Sequence, residues 1–167
     1  MKLIIEDLNT LSIQAKTFIK KHPELESKIN AFENTFEIGD SIENSEYLLD
    51  ILNDEKPSMP EEIPYGEDGA IFIDYQSINK PEYEDVSYEI ENGKLMLKGW
   101  LVYSVGASKC DQYNYGHRPD EGAWKYQNDD AKVWITYWFG ITFPEDEKQL
   151  EDIDAYKIEM EIVDECC

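Results

Sequence analysis

Basic residues are scarce in this chain of 167 residues. Lysine and arginine together number 15 against 37 aspartates and glutamates, so the formal net charge is −22 at pH 7. Arg118 is the single arginine, although arginine is the side chain that most often makes bidentate contacts to nucleic acids. A negative field of this size repels phosphate backbones and anionic lipid surfaces. We therefore expect no direct binding to nucleic acid or membrane, and attraction of basic proteins.

Long apolar runs and paired cysteines are also missing. No run is long enough for a transmembrane helix, and residues 1–5 lack the hydrophobic stretch and cleavage site of a secretory signal. Cys110, Cys166 and Cys167 make an odd number, and the last two are neighbours at the end of the chain. These features predict a cytoplasmic protein with free thiols.

Motifs for metal, phosphate or nucleophile chemistry are not found. Residues 111–116 have the outline of a calcium-binding loop but lack carboxylates at its third and fifth positions. Cys110 and His117 supply two ligands where zinc requires three or four. No glycine-rich phosphate loop and no Gly-x-Ser-x-Gly elbow is present. We predict no catalytic residue, no metal and no cofactor, and keep a small enzyme that uses Cys110 and His117 as an alternative.

The most regular segment is Ala131–Phe143. Its odd positions are all apolar, whereas its even positions carry Lys132, Trp134, Thr136 and Trp138. Strict alternation of β-branched and aromatic residues predicts a strand with one buried face. We expect this segment to be the central strand of an antiparallel sheet, with both tryptophans on the opposite face.

Helical periodicity characterises residues 1–56. Apolar side chains recur at three- and four-residue spacing through Leu8–Ile19 and again through Leu25–Phe36. Met1–Ile5 fits either the start of the first helix or a short strand. Residues 57–69 hold three prolines and two glycines, so we predict a connecting loop there.

Residues with capping preferences mark the predicted helix ends. Pro23 suits the first turn of the second helix, and Gly39 suits its carboxyl end. Asp40 or Ser41 is expected to cap a third helix that stops before Pro57.

A hairpin is predicted around Asn92-Gly93. An Asn-Gly pair between alternating runs is the strongest local signal for a two-residue turn. That turn places Val86, Tyr88 and Ile90 opposite Gly99, Leu97 and Leu95, so apolar positions meet across the two strands. Further strands are expected at 71–75 and at Tyr156–Val163.

The predicted fold is therefore α+β. We expect a single domain over 1–167, in which helices from residues 1–56 pack on one face of an antiparallel sheet of about five strands in 70–167. The sheet is interrupted by a loop at 106–130, and loops of that length are commonly functional.

Acidic residues are concentrated in two segments. Glu33–Asp68 has twelve acids and one base, a net charge of −11, and Glu145–Glu165 has ten acids and two bases, a net charge of −8. The concentration predicts either a well-solvated surface or a docking face for a basic partner. The face of Trp134 and Trp138 is expected to be either a second small core roofed by loop aromatics or an exposed binding patch.

These observations lead to one functional expectation and two alternatives. We expect a non-catalytic, protein-binding inhibitor, namely an immunity protein that neutralises a cationic toxin of nuclease type. The first alternative is a phage-encoded nucleic-acid mimic that inhibits a DNA-binding defence protein, and the second is the small enzyme above. The predicted partner-binding residues are acids and rings of the long loop: Asp111, Tyr113, Tyr115, Asp120, Glu121, Trp124, Asp129 and Asp130.

Overall fold

A computed structural model describes residues 2–5, 15, 18–65, 69–111 and 129–166. The helices that the structure describes from end to end are α1, Glu26–Thr35, and α2, Glu46–Glu55. Short 3-10 turns occupy Pro23–Leu25, Ile42–Asn44, Glu147–Gln149 and Ile153–Ala155. The strands are β1 Lys2–Ile5, β2 Glu62–Tyr65, β3 Gly69–Ile78, β4 Glu82–Glu91, β5 Lys94–Asp111, β6 Asp129–Thr142 and β7 Lys157–Cys166. The predicted α+β class is confirmed.

The described strands form one seven-stranded sheet. Their order is β1-β4-β5-β3-β2, and β6 pairs with β5 and with β7. The strand with most neighbours is β5, which has 18 residues and three partners. The predicted central strand corresponds to β6, which has two partners. Alternation reports which face is buried, whereas the number of partners depends on strand length and on long-range pairing.

Packing contacts group the chain into two compact units. The first comprises Met1–Pro57, Glu82–Leu101 and Tyr137–Val163, and the second comprises Ser58–Pro81, Val102–Thr136 and Asp164–Cys167. The first contains α1 and α2, and the second contains β2 and β3. The prediction of a single domain stays a prediction.

The core of the first unit is aromatic. The Phe32 ring of α1 lies 4.9 Å from Phe143 and 5.8 Å from Tyr156, measured between ring centroids. Tyr88 of β4 contacts Phe32 edge-on at 6.3 Å, and all four rings are buried. Each such ring stabilises the fold by about 1.5–3 kcal/mol through burial. The helical segment therefore packs on the predicted apolar face of the sheet.

The predicted hairpin between β4 and β5 is confirmed. Asn92 and Gly93 have φ values of 51° and 78°, and positive φ at both central residues defines the turn type that joins two twisted strands. Lys98 Nζ lies 2.9 Å from Glu89 Oε2 and also pairs with Glu91, so ion pairs link the two strands.

Helix ends differ from the prediction in detail. α1 ends at Thr35, with Phe36 as its C-cap, because Glu37 adopts φ 53°, and the Ile38 N–H donates to the Glu33 carbonyl at 2.9 Å. Gly39, with φ 62°, lies beyond this end. Ser41 caps the short turn Ile42–Asn44, so neither Asp40 nor Ser41 caps the third helix. Ser45 does so, because its Oγ accepts from the Leu48 N–H at 3.1 Å.

Two segments predicted as loops contain strands. β2 lies inside the predicted loop 57–69 and pairs antiparallel with β3, with Glu62 opposite Phe72. Its Pro64 is tolerated because β2 is at the end of the strand order. Residues 106–111 belong to β5 and pair with β3, with Ala107 opposite Ile73, and β6 begins at Asp129. The sequence did not indicate β2 because the prolines and glycines of residues 57–69 are typical of a loop, although its partner β3 follows almost directly. It did not indicate the end of β5 because the β3 residues that pair with it are distant in sequence.

The first residues resolve one open alternative. Lys2–Ile5 is a strand, β1, and Leu3 lies opposite Tyr88 of β4. Of the predicted first helix, the structure describes helical residues 15 and 18–21, whose Ala15 and Phe18 are buried. Leu8 and Leu11 lie outside the described residues.

Candidate functional site

The predicted loop site is described only at its edges. Asp111 is the last residue of β5, with its Cα opposite Gly69, and Asp129 and Asp130 begin β6. The remaining predicted residues lie outside the described part of the chain: Tyr113, Tyr115, Asp120, Glu121 and Trp124. Their grouping into one surface stays a prediction.

Of the two residues of the enzyme alternative, Cys110 lies within the described residues and His117 does not. Cys110 belongs to β5 and its Cα lies opposite Ala70. His117 lies outside the described residues. A contact between the two side chains therefore stays untested, as does catalysis.

The two acidic segments meet in the first unit. Thr35 at the end of α1 donates its hydroxyl to the Leu150 carbonyl at 3.2 Å. The Phe36 ring meets Tyr156 edge-on at 5.1 Å. Tyr156 in turn donates its hydroxyl to Leu150 at 2.7 Å. These contacts join Glu33–Asp68 to Glu145–Glu165.

A groove of about 380 Å³ lies where the segments meet. We call it the acidic groove. Four of its lining residues come from α2, and four come from the turn before β7 and the first residues of that strand. They are Tyr47, Ile51, Asp54, Glu55, Ile153, Asp154, Tyr156 and Ile158.

The sequence of α2 orients its half of the acidic groove. Leu48, Leu49 and Leu52 are buried on the core side, which leaves Tyr47 and Asp54 exposed. The Ser45 cap fixes the first turn, and its hydroxyl also donates to the Phe36 carbonyl at 2.6 Å. The outward residues of α2 therefore stand on a helix that is fixed at its amino end.

The opposite half rests on a capped turn. The Asp152 carboxylate accepts from the Asp154 N–H at 3.1 Å and so begins the turn Ile153–Ala155. Tyr156 follows, and burial raises its pKa to about 12. Its hydroxyl therefore stays protonated, and remains a hydrogen-bond donor to Leu150, at neutral pH.

The described residues that line the acidic groove carry negative charge and apolar or aromatic surface. Asp54, Glu55 and Asp154 contribute three carboxylates, and none of the described residues that line it is a lysine, arginine or histidine. Tyr47 is 40% exposed and Ile51 is half-buried. The combination of apolar and aromatic surface with acids around it is suited to a basic side chain presented by another protein.

Tryptophans occupy the opposite face of the sheet, as predicted. The odd positions of β6 from Val133 to Ile141 are fully buried, whereas Trp134 is 40% exposed. Trp138 is half-buried. Trp100 of β5 is 40% exposed and was missed by sequence reasoning, although its alternation with Leu101 and Tyr103 placed it on a polar face. The loop rings of the predicted roof lie outside the described residues.

Comparison of the chain with protein-family models, curated protein sequences and solved structures gives no match. No helix within the described ranges is long and apolar enough to cross a membrane. The same ranges contain no group of three or more His, Cys, Asp or Glu side chains arranged to hold a metal ion.

Proposed function

We propose that this chain is a non-catalytic inhibitor that binds a basic protein through the acidic groove. The observation that supports the proposal is the meeting of two acidic segments around a groove that also presents Tyr47 and Ile51. In this proposal the chain acts in the cytoplasm as an immunity protein for a cationic toxin.

Electrostatics explains why nucleases are the natural target. An enzyme that binds nucleic acid carries a basic groove, and a surface of opposite sign attracts it and accelerates association. Binding there occupies the site that the nucleic acid needs. The chain thus inhibits without performing a reaction.

Hydrophobic contact supplies the rest of the binding energy. Tyrosine at the centre of an interface contributes more to affinity than exposed charged residues at its edge. Tyr47 offers an exposed ring on a helix fixed by the Ser45 cap. Tyr113, Tyr115 and Trp124 with their neighbouring acids stay the contact residues that the sequence predicts.

A nucleic-acid mimic is the competing function. Such a protein presents rows of carboxylates at intervals close to those of phosphates. The acidic groove instead combines three acids with two tyrosines and three isoleucines. This composition favours recognition of a protein side chain.

Co-expression in bacteria tests the proposal. Each protein encoded beside this gene is produced alone and together with this chain. We expect one of them to be basic and toxic alone, and harmless with this chain. We expect Asp54→Lys combined with Glu55→Lys to remove the protection. The new lysines would face basic residues of the toxin, and such like-charge contacts cost several kcal/mol of binding free energy.

A matched control distinguishes an effect of the acidic groove from an effect of the total charge. Glu82→Lys with Glu84→Lys reverses two exposed acids of β4 that do not line the acidic groove, and it changes the total charge equally. Protection retained in the control and lost in the groove variant supports the proposal. Equal loss of protection in both variants contradicts the proposal, as does the absence of a toxic protein among those encoded beside this gene. Loss of protection in His117→Ala alone favours the enzyme alternative.

A further inference from the structure

A second pocket, on the tryptophan face of the first unit, has a different composition. We call it the tryptophan pocket. Its volume is about 350 Å³, and its walls come from β4, β5 and β6. The lining residues are Asp85, Ser87, Glu89, Lys98, Gly99, Trp100 and Trp138.

Ser87 contributes a buried hydroxyl to the tryptophan pocket. Its side chain is 1% exposed, and its Oγ has no hydrogen-bond partner within the described chain. Its strand neighbours Val86 and Tyr88 lie in the core, so Ser87 is on the other face, where it lines the tryptophan pocket. A buried hydroxyl without a partner is costly, and a ligand that donates to it removes that cost.

A β-bulge places Asp85 beside this hydroxyl. Asp85 adopts φ 49° within β4. Tyr83 and Val86 both reach the buried face, where the Tyr83 ring lies 6.1 Å from Phe139, although an uninterrupted strand puts residues three apart on opposite faces. Asp85 is therefore an extra residue, and bulges of this kind often redirect a side chain at a binding site.

The charge available to a ligand is that of Asp85. Lys98 Nζ lies 2.9 Å from Glu89 Oε2 and pairs also with Glu91. The hydrogen bond to Glu91 raises the pKa of Lys98, partial burial lowers it, and the bond to Glu89 raises it again. Both carboxylates are thus engaged with Lys98, whereas no cation of the described residues pairs with Asp85. Among the described residues that line the pocket, an anionic ligand finds no uncommitted positive charge.

Gly140 positions the indole of Trp138. A Cβ at Gly140 would lie 2.7 Å from Cη2 and 2.9 Å from Cζ2 of that ring. The six-membered ring therefore rests on the bare backbone of β6. Trp100, 40% exposed, supplies a second aromatic surface.

We propose that the tryptophan pocket binds a guanidinium group, which stacks on an indole ring, pairs with the Asp85 carboxylate and donates to Ser87 Oγ. A guanidinium is planar, weakly hydrated and rich in N–H donors, so it meets all three groups at once. A quaternary ammonium has no N–H to offer Ser87. This site stands whether or not the acidic groove binds a toxin.

Tryptophan fluorescence of the full chain, titrated at low ionic strength, tests the assignment. The probes are N-acetyl-arginine amide, free arginine and N-acetyl-lysine amide, with sodium chloride at equal ionic strength as the blank. We expect the capped arginine to bind with Kd on the order of millimolar, as befits one small group, and at least about fivefold more tightly than the lysine probe. Tighter binding of the capped form identifies a protein side chain as the source, and tighter binding of free arginine identifies a small molecule.

Two variants distinguish the site from general attraction to an acidic protein. Asp85→Asn is expected to weaken arginine binding about tenfold or more, since a charge-assisted pair is lost. Ser87→Ala is expected to weaken it about threefold or more while leaving the melting temperature equal or higher, because a buried hydroxyl without a partner is removed. Glu145→Gln, outside the tryptophan pocket, is the control and keeps the wild-type affinity.

Several results would overturn the assignment. Equal responses to arginine, lysine and sodium chloride would do so, as would arginine binding that survives both Asp85→Asn and Ser87→Ala. A melting temperature lowered by Ser87→Ala would show that the hydroxyl already has a partner. Gly140→Ala adds a check that leaves the polar groups of the pocket unchanged. The added methyl group displaces the Trp138 ring, so we expect a smaller fluorescence response to arginine.

Discussion

At the residue scale, single polar groups fix the elements that carry the acidic groove. Ser45 is 2% exposed and makes two hydrogen bonds, one from the Leu48 N–H and one to the Phe36 carbonyl. The bond from Leu48 caps the start of α2, and the bond to Phe36 links α2 to the C-cap of α1. One hydroxyl therefore determines how two acidic elements are joined.

Ser45→Ala is expected to lower the free energy of unfolding by about 2 kcal/mol, because it removes a helix cap and leaves a buried carbonyl without its donor. Urea denaturation followed by circular dichroism measures the change. Ser58→Ala, at an exposed serine, is the control and stays within about 0.5 kcal/mol of wild type. Equal effects of the two substitutions would refute the role given to Ser45.

Tyr156 predicts a dependence of stability on alkaline pH. Its pKa is about 12 in the folded chain against 10.0 for the ordinary side chain, so between these values the folded state holds a proton that the unfolded state has lost. The free energy of unfolding is therefore unaffected below pH 10 and falls as the pH rises toward 12. Tyr88 adds to the fall in the same direction, because burial and the Glu33 carboxylate raise its pKa.

Urea denaturation at intervals from pH 8 to 12 measures this fall. Tyr156→Phe is expected to make it shallower, and wild type measured in the same buffers is the reference. Identical slopes for wild type and Tyr156→Phe would contradict the assignment.

At the element scale, the sheet depends on a close contact between neighbouring strands. A Cβ at Gly99 of β5 would lie 2.9 Å from Val86 Cγ2 of β4 and 2.9 Å from Phe139 Cζ of β6. Both neighbours are fully buried. Glycine at this position thus lets the side chains of two adjoining strands meet over β5.

Gly99→Ala is expected to cost about 1–3 kcal/mol of stability, since the added methyl group overfills a packed core. Adding Phe139→Leu shortens the obstructing side chain, so the double variant loses less than the sum of the single losses. Thermal unfolding of the four proteins gives the comparison. Strictly additive losses would show that the contact is not the cause.

Prediction from sequence succeeded where the signal was local. Alternation in Ala131–Phe143 correctly separated the buried side chains from Trp134 and Trp138, and Asn92-Gly93 identified the turn between β4 and β5. β2 was missed because its prolines and the neighbouring glycines indicate a loop, and the end of β5 was missed because the β3 residues that pair with it are distant in sequence. The acidic groove was unpredictable for the same reason, since α2 and Tyr156 are distant in sequence and are brought together by tertiary packing.

At the scale of the whole molecule, the net charge of −22 has consequences for association. Long-range attraction accelerates encounter with a basic partner and is screened over about 8 Å at physiological ionic strength. Contacts between rings inside an interface are screened much less. The proposed complex should therefore form more slowly in high salt and yet dissociate at a nearly constant rate.

Association and dissociation rate constants, measured with the chain immobilised on a sensor surface at 50 mM and 500 mM sodium chloride, test whether salt changes association more than dissociation. For the proposed toxin partner, we expect the association rate constant to fall about tenfold or more and the dissociation rate constant to change by less than about threefold. A change confined to the dissociation rate would argue against electrostatic attraction as the source of rapid binding.

The most direct measurement is the affinity of the proposed toxin partner for chains with a neutralised acidic groove. Isothermal titration calorimetry compares wild type with Asp54→Asn, Glu55→Asn and Asp154→Asn combined, and with a control in which Glu82→Gln, Glu84→Gln and Glu145→Gln remove the same charge elsewhere. We predict that the groove variant raises Kd about hundredfold and the control less than about fivefold. Equal losses of affinity in the two variants would contradict binding through the acidic groove.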